Sequence, residues 1–383
     1  MTRRGWKGGG ALNRYKICVY AISKNEEAFV DRWMDSVGEA DLVVVADTGS
    51  TDFTVERLRA RGAVVYEESI IPWRFDVARN VAMDRLPGDA DICVSIDLDE
   101  VFEPGWRQKL ENAWLPEYCR AKYPYIWSHH DDGTPQIQYL RDKIHRRLGY
   151  RWIHPVHEVL NYDGPGEEKM VFVDGMVLHH YPDPSKSRGQ YLPLLELSVK
   201  ENPQDEQAAF WLGREYFFSG VHHRCIETLT DYLSLPRAKW DEERSAAMRY
   251  IAQSSLAMGD IAEARSWLFR AIAECQEVRE PYYTMALLAY DEQNWPLTYA
   301  MVRKALSIVQ PSGSYLSDPA CWGAALYDLG AIAAYHLGLL DEAYAHAVAA
   351  CGKAPGDSRL TANLDFFAAV LAERAKGREH GTS

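Results

Sequence analysis

The chain has 383 residues and a formal net charge of −13, with 47% hydrophobic and 25% charged residues. This balance excludes wholesale disorder, no apolar run approaches the roughly 18 residues of a membrane span, and the acidity confines any nucleic-acid contact to a local patch. Seven scattered cysteines without a Cys-x-x-Cys pair argue against a disulfide framework and a thiolate zinc site, and favour the reducing cytoplasm.

The first half of the chain alternates short β-rich runs with amphipathic stretches. The runs are bounded and apolar, as buried parallel strands are, and they cover 16–22, 42–46, 63–66 and 92–96. Between 10 and 20 residues of helical pattern separate successive runs. We therefore predict an α/β domain with a mostly parallel, Rossmann-like sheet over 14–189, preceded by a flexible N-terminus at 1–13.

From about residue 190 the strand pattern disappears and a helical repeat begins. Leu212-Gly213, Tyr216 and Gly220 open the first unit, and Gly259 and Gly338 stand where Gly220 does in later units. A period near 34 with these small residues resembles the tetratricopeptide helix-turn-helix repeat. We predict an all-α repeat domain over 190–383 that ends with a closing helix at 358–376. Such repeats can also serve as the interface of a homodimer.

Polar residues follow three of the predicted strands at their carboxyl ends, where open α/β sheets bind ligands. They form the segments 23–27, 47–52 and 97–100. Carboxylates from three strand ends repel one another unless a cation or polar ligand lies between them, so a divalent metal with an anionic ligand is expected. The segment 47–52, Asp-Thr-Gly-Ser-Thr-Asp, is equally compatible with a capped strand-to-helix turn.

Asp97 and Asp99 are two residues apart at the end of the fourth strand. Residues with this spacing in a strand point the same way, so both carboxylates can face one oxygen-preferring cation. The pair alone is a weak signal because it is short. The pair becomes informative only together with the order and spacing of the three segments 23–27, 47–52 and 97–100.

In these motifs the chain resembles the family-2 inverting glycosyltransferases of the GT-A fold. The matching elements are Asn25-Glu26-Glu27, the segment 47–52 with Thr48 in place of the usual second acid, and Asp97-x-Asp99. Ala78-Arg79-Asn80, His157-Glu158 and the C-terminal repeats are closer to a subgroup that includes the sublancin-type S-glycosyltransferases. The resemblance implies sugar transfer from a nucleotide-diphosphate donor, such as a UDP-sugar, with Mn²⁺ or Mg²⁺.

The resemblance also implies roles for individual residues. Asp99 is expected to ligate the metal, with His180 as the late metal-binding histidine, although an incidental histidine pair at a strand end fits that position as well. Asp97 is expected to reach the ribose or the metal's waters, and Asp47 the nucleobase. The remaining donor-binding candidates are Asn25, Glu26, Ser50, Asp52, Arg79 and Asn80, of which Arg79 is also compatible with a surface arginine.

A basic run, 141–151, carries five Lys or Arg residues inside an acidic protein. A solvated strand edge and a local nucleic-acid contact both account for such a run. The resemblance favours stabilisation of the donor diphosphate by Arg146.

An inverting transfer needs a group that deprotonates the acceptor nucleophile. We expect Glu158 to be this base, with His157 orienting it or acting in its place. The segment 152–159 also fits a buried strand whose histidines serve only structure.

The predicted function is metal-dependent transfer of a sugar to a peptide or protein side chain, a glycan or a modified DNA base. Neither a Gly-x-Gly-x-x-Gly after the first strand nor a Gly-x-x-x-x-Gly-Lys occurs, which disfavours a dinucleotide oxidoreductase and a P-loop kinase. The alternative is a non-catalytic protein in which a sugar-nucleotide-binding domain or the repeats act as an interaction scaffold.

Overall fold

A computed structural model describes residues 15–183, 189 and 191–380, with side chains through 375. The predicted flexible segment at 1–13 lies outside this range. The chain divides into two compact units between residues 188 and 189. The first unit holds a mixed sheet with helices and the second is all helical, so the predicted class, an α/β domain followed by helical repeats, is confirmed.

The first unit begins with the alternating strands and helices that the sequence indicates. Their bounds are β1 Ile17–Ser23, α1 Val30–Val37, β2 Leu42–Asp47, α2 Thr54–Ala60, β3 Val64–Glu67, α3 Phe75–Asp84 and β4 Ile92–Ser95. The later elements are β5 Glu100–Phe102, α4 Trp106–Ala113, β6 Arg120–His129, β7 Pro135–Arg146, β8 Tyr150–Ile153, β9 Val159–Tyr162, β10 Met170–Phe172 and β11 Leu178–His180.

The main sheet has the strand order β3-β2-β1-β4-β7-β6-β11-β5, and β10 pairs with β6. The strands β3, β2, β1 and β4 are parallel, whereas β7 runs antiparallel to both β4 and β6. The carboxyl ends of β1, β2 and β4 therefore lie along one edge of the sheet. A separate antiparallel hairpin pairs β8 with β9.

Burial on both faces explains why β1 is a continuous apolar run. Ile17 and Val19 pack in one core cluster with Trp33 of α1, while Cys18 and Tyr20 face a second cluster on the other side of the sheet. Alternate residues of a strand point to opposite faces, so a strand between two cores needs apolar residues at every position. This arrangement fixes the edge at which β1, β2 and β4 end.

The second unit is all helical, and successive helices pack against one another. Its helices are α5 Tyr191–Glu201, α6 Glu206–Phe218, α7 His222–Ser234, α8 Asp241–Ala257, α9 Ile261–Glu274, α10 Glu280–Asp291, α11 Trp295–Ser307, α12 Ala325–His336, α13 Leu340–Lys353 and α14 Ser358–His380. A short 3₁₀ helix, Pro319–Trp322, precedes α12. The predicted turn glycines Gly220, Gly259 and Gly338 all have positive φ, which glycine adopts without strain. No helix in the described residues is long and apolar enough to cross a bilayer.

Candidate active site

The loop after β2 is organised by Asp47, which is 1% exposed. One carboxylate oxygen accepts the main-chain N–H groups of Gly49 and Ser50 at 3.0 and 2.8 Å, and the other accepts the Ser23 and Ser50 hydroxyls. Gly49 has a φ of 101°, so the turn requires glycine. Both oxygens thus bind groups at the ends of β1 and β2, and the nucleobase contact of Asp47 stays a prediction.

The loops after β1 and β2 are joined by reciprocal hydrogen bonds. The Asn25 N–H donates to Ser50 Oγ at 2.8 Å, and the Thr51 N–H donates to Asn25 Oδ1 at 2.7 Å. The Glu26 N–H donates to Thr54 Oγ1 at 2.7 Å. Asn25 and Ser50 thus lie together at the carboxyl ends of β1 and β2.

Asp52 is half-buried and joins the first residue of α2 to the loop after β1. Its oxygens accept the Thr54 N–H and hydroxyl and the Glu27 N–H. Burial alone would raise the pKa of the Asp52 carboxyl, but these hydrogen bonds hold it below its usual value. These bonds order the loops after β1 and β2, and the donor-binding role of Asp52 stays a prediction.

The centre of the site is an ion-pair network around Arg79, which is 5% exposed. Its guanidinium contacts Asp97 Oδ1 at 2.7 Å and donates through Nε to Glu158 Oε1. Lys143 Nζ lies 3.2 Å from the other Asp97 oxygen. Both cations also lie over the Trp152 ring, at 5.2 and 5.8 Å from its centroid. The network brings the two predicted carboxylates, Asp97 and Glu158, onto one cation.

These contacts shift the ionisation of the buried groups. Burial alone would raise the pKa of the Asp97 carboxyl, but the Arg79 and Lys143 cations bring it well below its usual value. Burial alone would lower the pKa of the Arg79 guanidinium, but the Asp97 and Glu158 carboxylates raise it well above its usual value. Asp97 is therefore an anion and Arg79 a cation at neutral pH.

Asp99 and His180 face each other beside this network. His180 Nε2 is 3.5 Å from Asp99 Oδ2, and its Nδ1 lies 3.0 Å from the Trp127 carbonyl oxygen. The ring is stacked on Trp127 at 4.3 Å. A proton on Nδ1, donated to that carbonyl, leaves Nε2 directed toward Asp99, which is the usual way in which proteins orient a metal-binding histidine.

The donor set fits a divalent cation that is only partly enclosed by the protein. Within the described residues no group of three or more His, Cys, Asp or Glu side chains is placed to hold a metal ion. Asp99 and His180 would supply one oxygen and one nitrogen ligand to such an ion. Mg²⁺ is commonly held by one or two carboxylates and completed by substrate phosphates and waters, which Asp99 matches, whereas an imidazole ligand suits a transition metal better than Mg²⁺.

The segment that carries His157 and Glu158 is a hairpin loop between β8 and β9, not the buried strand that was the alternative. His154 and His157 adopt positive φ values of 76° and 51°. Such backbone is uncommon outside glycine and is found at functional sites when the surrounding structure holds it. One such anchor is the Phe75 N–H, which donates to the Pro155 carbonyl at 2.9 Å.

Two predicted donor-binding residues lie elsewhere than expected. The Asn80 amide donates to the Trp152 carbonyl at 2.8 Å and accepts the Trp152 N–H at 3.0 Å, so it holds β8 in place and does not face a donor. Arg146 pairs with Ile92, at the start of β4, because β7 runs antiparallel to β4. It is therefore near the opposite end of β4 from Asp97, and the predicted contact with the diphosphate is not available to it.

The site contains residues that the sequence analysis did not single out. Lys143 contacts Asp97, and Glu100 accepts the Asp97 N–H at 2.9 Å and the Tyr125 hydroxyl at 2.8 Å. Arg141 lies 3.6 Å from Glu100 and over the Tyr125 ring. The available signal was the strand period of two, which places Arg141 and Lys143 on one face of the basic run and Arg146 on the other.

No model of a known protein family matches the chain. Its similarities to solved structures include MamA, at 19% identity over 44% of this chain and 89% of that one with a TM-score of 0.35. YrrB, described as a tetratricopeptide protein with an unusual peptide-binding site, matches at 14% identity over 48% of this chain and 87% of that one, with a TM-score of 0.39.

A third similar structure is a sugar transferase. Glucosyl-3-phosphoglycerate synthase from Mycobacterium tuberculosis, crystallised with Mn²⁺, uridine diphosphate and glucosyl-3-phosphoglycerate, matches at 25% identity and a TM-score of 0.26. The match covers 32% of this chain and half of the synthase. All three scores are low, so the function has to be inferred from the chemistry of the site.

Proposed function

We propose that the first unit is a metal-dependent inverting glycosyltransferase of the GT-A type, related to family 2, which uses a nucleotide-diphosphate sugar. The observation that carries this proposal is the convergence of Asp97, Asp99, Glu158 and His180 with Arg79 at one edge of the sheet. Carboxylates, an imidazole and a buried cation are what the transfer of a sugar from a diphosphate requires.

Breaking the donor's glycosidic bond builds negative charge on the departing diphosphate. A Mn²⁺ or Mg²⁺ ion, when bound, neutralises this charge as a Lewis acid. Asp99 and His180 would hold that ion. The Glu100 carboxylate accepts the Asp97 N–H and so orders the turn that carries Asp97 and Asp99. Lys143 supplies a positive charge on the same side, beside Asp97.

The acceptor nucleophile must lose a proton as it attacks the sugar. Glu158 is the proposed base, and the Arg79 guanidinium orients its carboxylate. The Glu158 carboxylate is held by the Arg79 guanidinium, so the acceptor has to reach a carboxylate oxygen beside that contact. His157, next to it in the same loop, is the second candidate for this step.

The acceptor is proposed only as a class: a peptide or protein side chain, a glycan or a modified nucleobase. The resemblance to the sublancin-type S-glycosyltransferases concerns the class of reaction and does not select among these acceptors. Repeats of the tetratricopeptide kind are suited to holding an acceptor or a second copy of the chain.

Hydrolysis of a panel of nucleotide sugars, with Mn²⁺ or Mg²⁺ and with EDTA, tests the proposal. We expect slow release of nucleotide diphosphate from at least one donor, highest with a UDP-sugar and abolished by EDTA. Absence of both hydrolysis and nucleotide binding for every donor would instead favour the non-catalytic scaffold.

A further inference from the structure

Arg141 is a cationic side chain that the fold brings to the carboxyl end of β4. β7 runs antiparallel to β4, and its Ile144 pairs with Val94. Arg141 precedes Ile144 on β7, so it lies beyond the last residue of β4, at the edge of the sheet where the segment 97–100 begins. A guanidinium is thus placed beside the proposed active site by the direction of one strand.

The Arg141 guanidinium forms no hydrogen bond with any residue that the structure describes. Its Nε is buried without an acceptor, and its Nη2 is 3.6 Å from Glu100 Oε1, beyond hydrogen-bond distance. The Glu100 oxygens are already used, since Oε1 accepts the Tyr125 hydroxyl and Oε2 accepts the Asp97 N–H. Glu100 therefore offsets part of the Arg141 charge without satisfying the Arg141 donors.

Two tyrosine rings hold the guanidinium in place. Arg141 Cζ is 4.5 Å from the ring centroid of Tyr125 and 5.9 Å from that of Tyr139, and the two rings meet edge to face at 5.2 Å. Cation–π contacts replace part of the lost hydration of a guanidinium, but they supply no hydrogen-bond acceptor. The Arg141 side chain is 27% exposed, so a ligand can reach it from solvent.

The other two cations of the site are already paired with carboxylates. Arg79 contacts Asp97 and Glu158, and Lys143 contacts the second Asp97 oxygen. A poorly solvated charge without a hydrogen-bonded counter-ion is costly, so the donors of Arg141 are the ones left for a ligand. Guanidinium groups bind carboxylates and phosphates through two parallel hydrogen bonds, which supply both the charge and the acceptors that Arg141 lacks.

The strand order places Arg141 across β4 from the expected nucleotide residues. β1 and β2, whose loops carry Asn25 and Ser50, lie on one side of β4, and β7 lies on the other. Asp99, the proposed metal ligand, follows β4 between them. A donor held by its nucleotide above β1 and β2 would extend its sugar past Asp99 toward β7. A group that reaches Arg141 would then belong to the sugar or to the acceptor.

We propose that Arg141 forms a subsite for an oxyanion, a carboxylate or phosphate, carried by the transferred sugar or by the acceptor. The subsite itself is inferred from the contacts of Arg141, whereas its assignment to the sugar or acceptor rests on the proposed function. The two parts of the proposal are therefore tested separately.

Calorimetric titration of inorganic phosphate into the full chain, without nucleotide or metal and at constant ionic strength, tests the subsite. The proteins are the wild type, Arg141→Gln, Arg141→Lys, and Arg151→Gln, which removes an exposed arginine of the same basic run as a matched control. We expect equal affinity in the wild type and the control, and at least about tenfold weaker binding in Arg141→Gln. Arg141→Lys should lie between them, because it keeps the charge but loses the planar fork.

Titrations of uridine diphosphate, UDP-glucose and UDP-glucuronate with Mn²⁺ identify the source of the anion. Uridine diphosphate alone should bind Arg141→Gln and the wild type equally. A preference of about tenfold for UDP-glucuronate over UDP-glucose that is lost in Arg141→Gln would assign the anion to the sugar. Without that preference, Arg141-dependent phosphate binding to the chain loaded with uridine diphosphate would assign it to the acceptor.

The subsite is overturned if phosphate does not bind the wild type or binds Arg141→Gln equally well. If circular dichroism shows that Arg141→Gln does not fold, wild-type affinity in Arg141→Lys overturns it instead. Tenfold weaker binding of uridine diphosphate to Arg141→Gln, or neither of the two source-specific results, would contradict the assignment to sugar or acceptor. Arg141-dependent phosphate binding by a chain that binds no nucleotide would leave the subsite standing and reject the proposed function.

Discussion

Arg79 is the residue on which the site depends most. Two carboxylates, Asp97 and Glu158, come from separate elements and meet the same buried guanidinium. Without the Arg79 cation the two carboxylates would lie in a poorly solvated site, and only Asp97 would keep a cationic partner, Lys143. Removing one partner from a buried ion pair is far more costly than breaking an exposed pair.

Arg79→Met should therefore destabilise the first unit strongly, by about 3–5 kcal/mol. Urea unfolding followed by tryptophan fluorescence measures this change. Arg61→Met is the matched control, since Arg61 pairs with Asp31 and Asp35 at the surface, and it should leave the urea midpoint almost unchanged. Equal effects of the two variants would show that the Arg79 network is not a buried ion-pair network.

Lys143 and Arg146 allow a second comparison at the residue scale. Both belong to the basic run, but only Lys143 contacts the carboxylates of the site. If the proposed activity is correct, Lys143→Gln should lower donor hydrolysis at least about tenfold, equivalent to about 1.4 kcal/mol of barrier. Arg146→Gln should change the rate by less than about twofold. The opposite ranking would contradict the placement of β7.

Residue patterns predicted some of these positions and not others. The position of Asp97 and Asp99 at the end of β4 follows from the sequence pattern, whereas the contact of Asp97 with Arg79 was not predicted. The hydrogen bonds of Asp47, Asp52 and Asn80 do not follow from the sequence pattern. Their partners are main-chain groups or hydroxyls whose positions depend on the folded loops and on β8. A sequence shows that such a side chain can form hydrogen bonds, but not with what.

At the scale of elements, the direction of β7 determines which basic residues reach the site, and the sequence does not reveal that direction. The basic run was recognised, but its contact with the site depends on β7 lying antiparallel to β4, which brings the earlier residues of the run to the carboxyl end of β4. The β8–β9 hairpin likewise depends on a turn at 154–158 that contains no glycine. Helix pairs were more predictable, because their contacts are local in sequence.

Glycine in the helices of the repeats allows a direct test of their packing. A Cβ at Gly213 of α6 would lie 2.4 Å from Leu229 of α7, which is fully buried and cannot move aside. Gly213→Ala should destabilise the second unit by about 1–3 kcal/mol despite the better helix propensity of alanine.

Gly352 of α13 is the matched control, since nothing lies within 4 Å of its added Cβ. Gly352→Ala should stabilise the helix by about 0.5–1 kcal/mol. Thermal unfolding followed by circular dichroism compares the two variants. Stabilisation by Gly213→Ala would mean that α6 and α7 do not pack as closely as described.

At the scale of the whole molecule, all seven cysteines are free thiols, and only Cys351 is not buried. Burial raises the pKa of Cys18 to about 11 and that of Cys93 to about 12, so neither is a thiolate at neutral pH. Titration with an aromatic disulfide reagent should modify one thiol rapidly in the native chain and seven after denaturation. Fewer than seven after denaturation without reductant would indicate a disulfide.

In the proposed function, Asp99 serves a metal-dependent nucleotide site. The most direct measurement is calorimetric titration of uridine diphosphate into the wild type and Asp99→Asn, each with and without Mn²⁺. We predict binding to the wild type that requires Mn²⁺, and loss of that requirement together with at least about tenfold weaker binding in Asp99→Asn, the equivalent of about 1.4 kcal/mol. Equal Mn²⁺-dependent binding by both proteins would contradict the account.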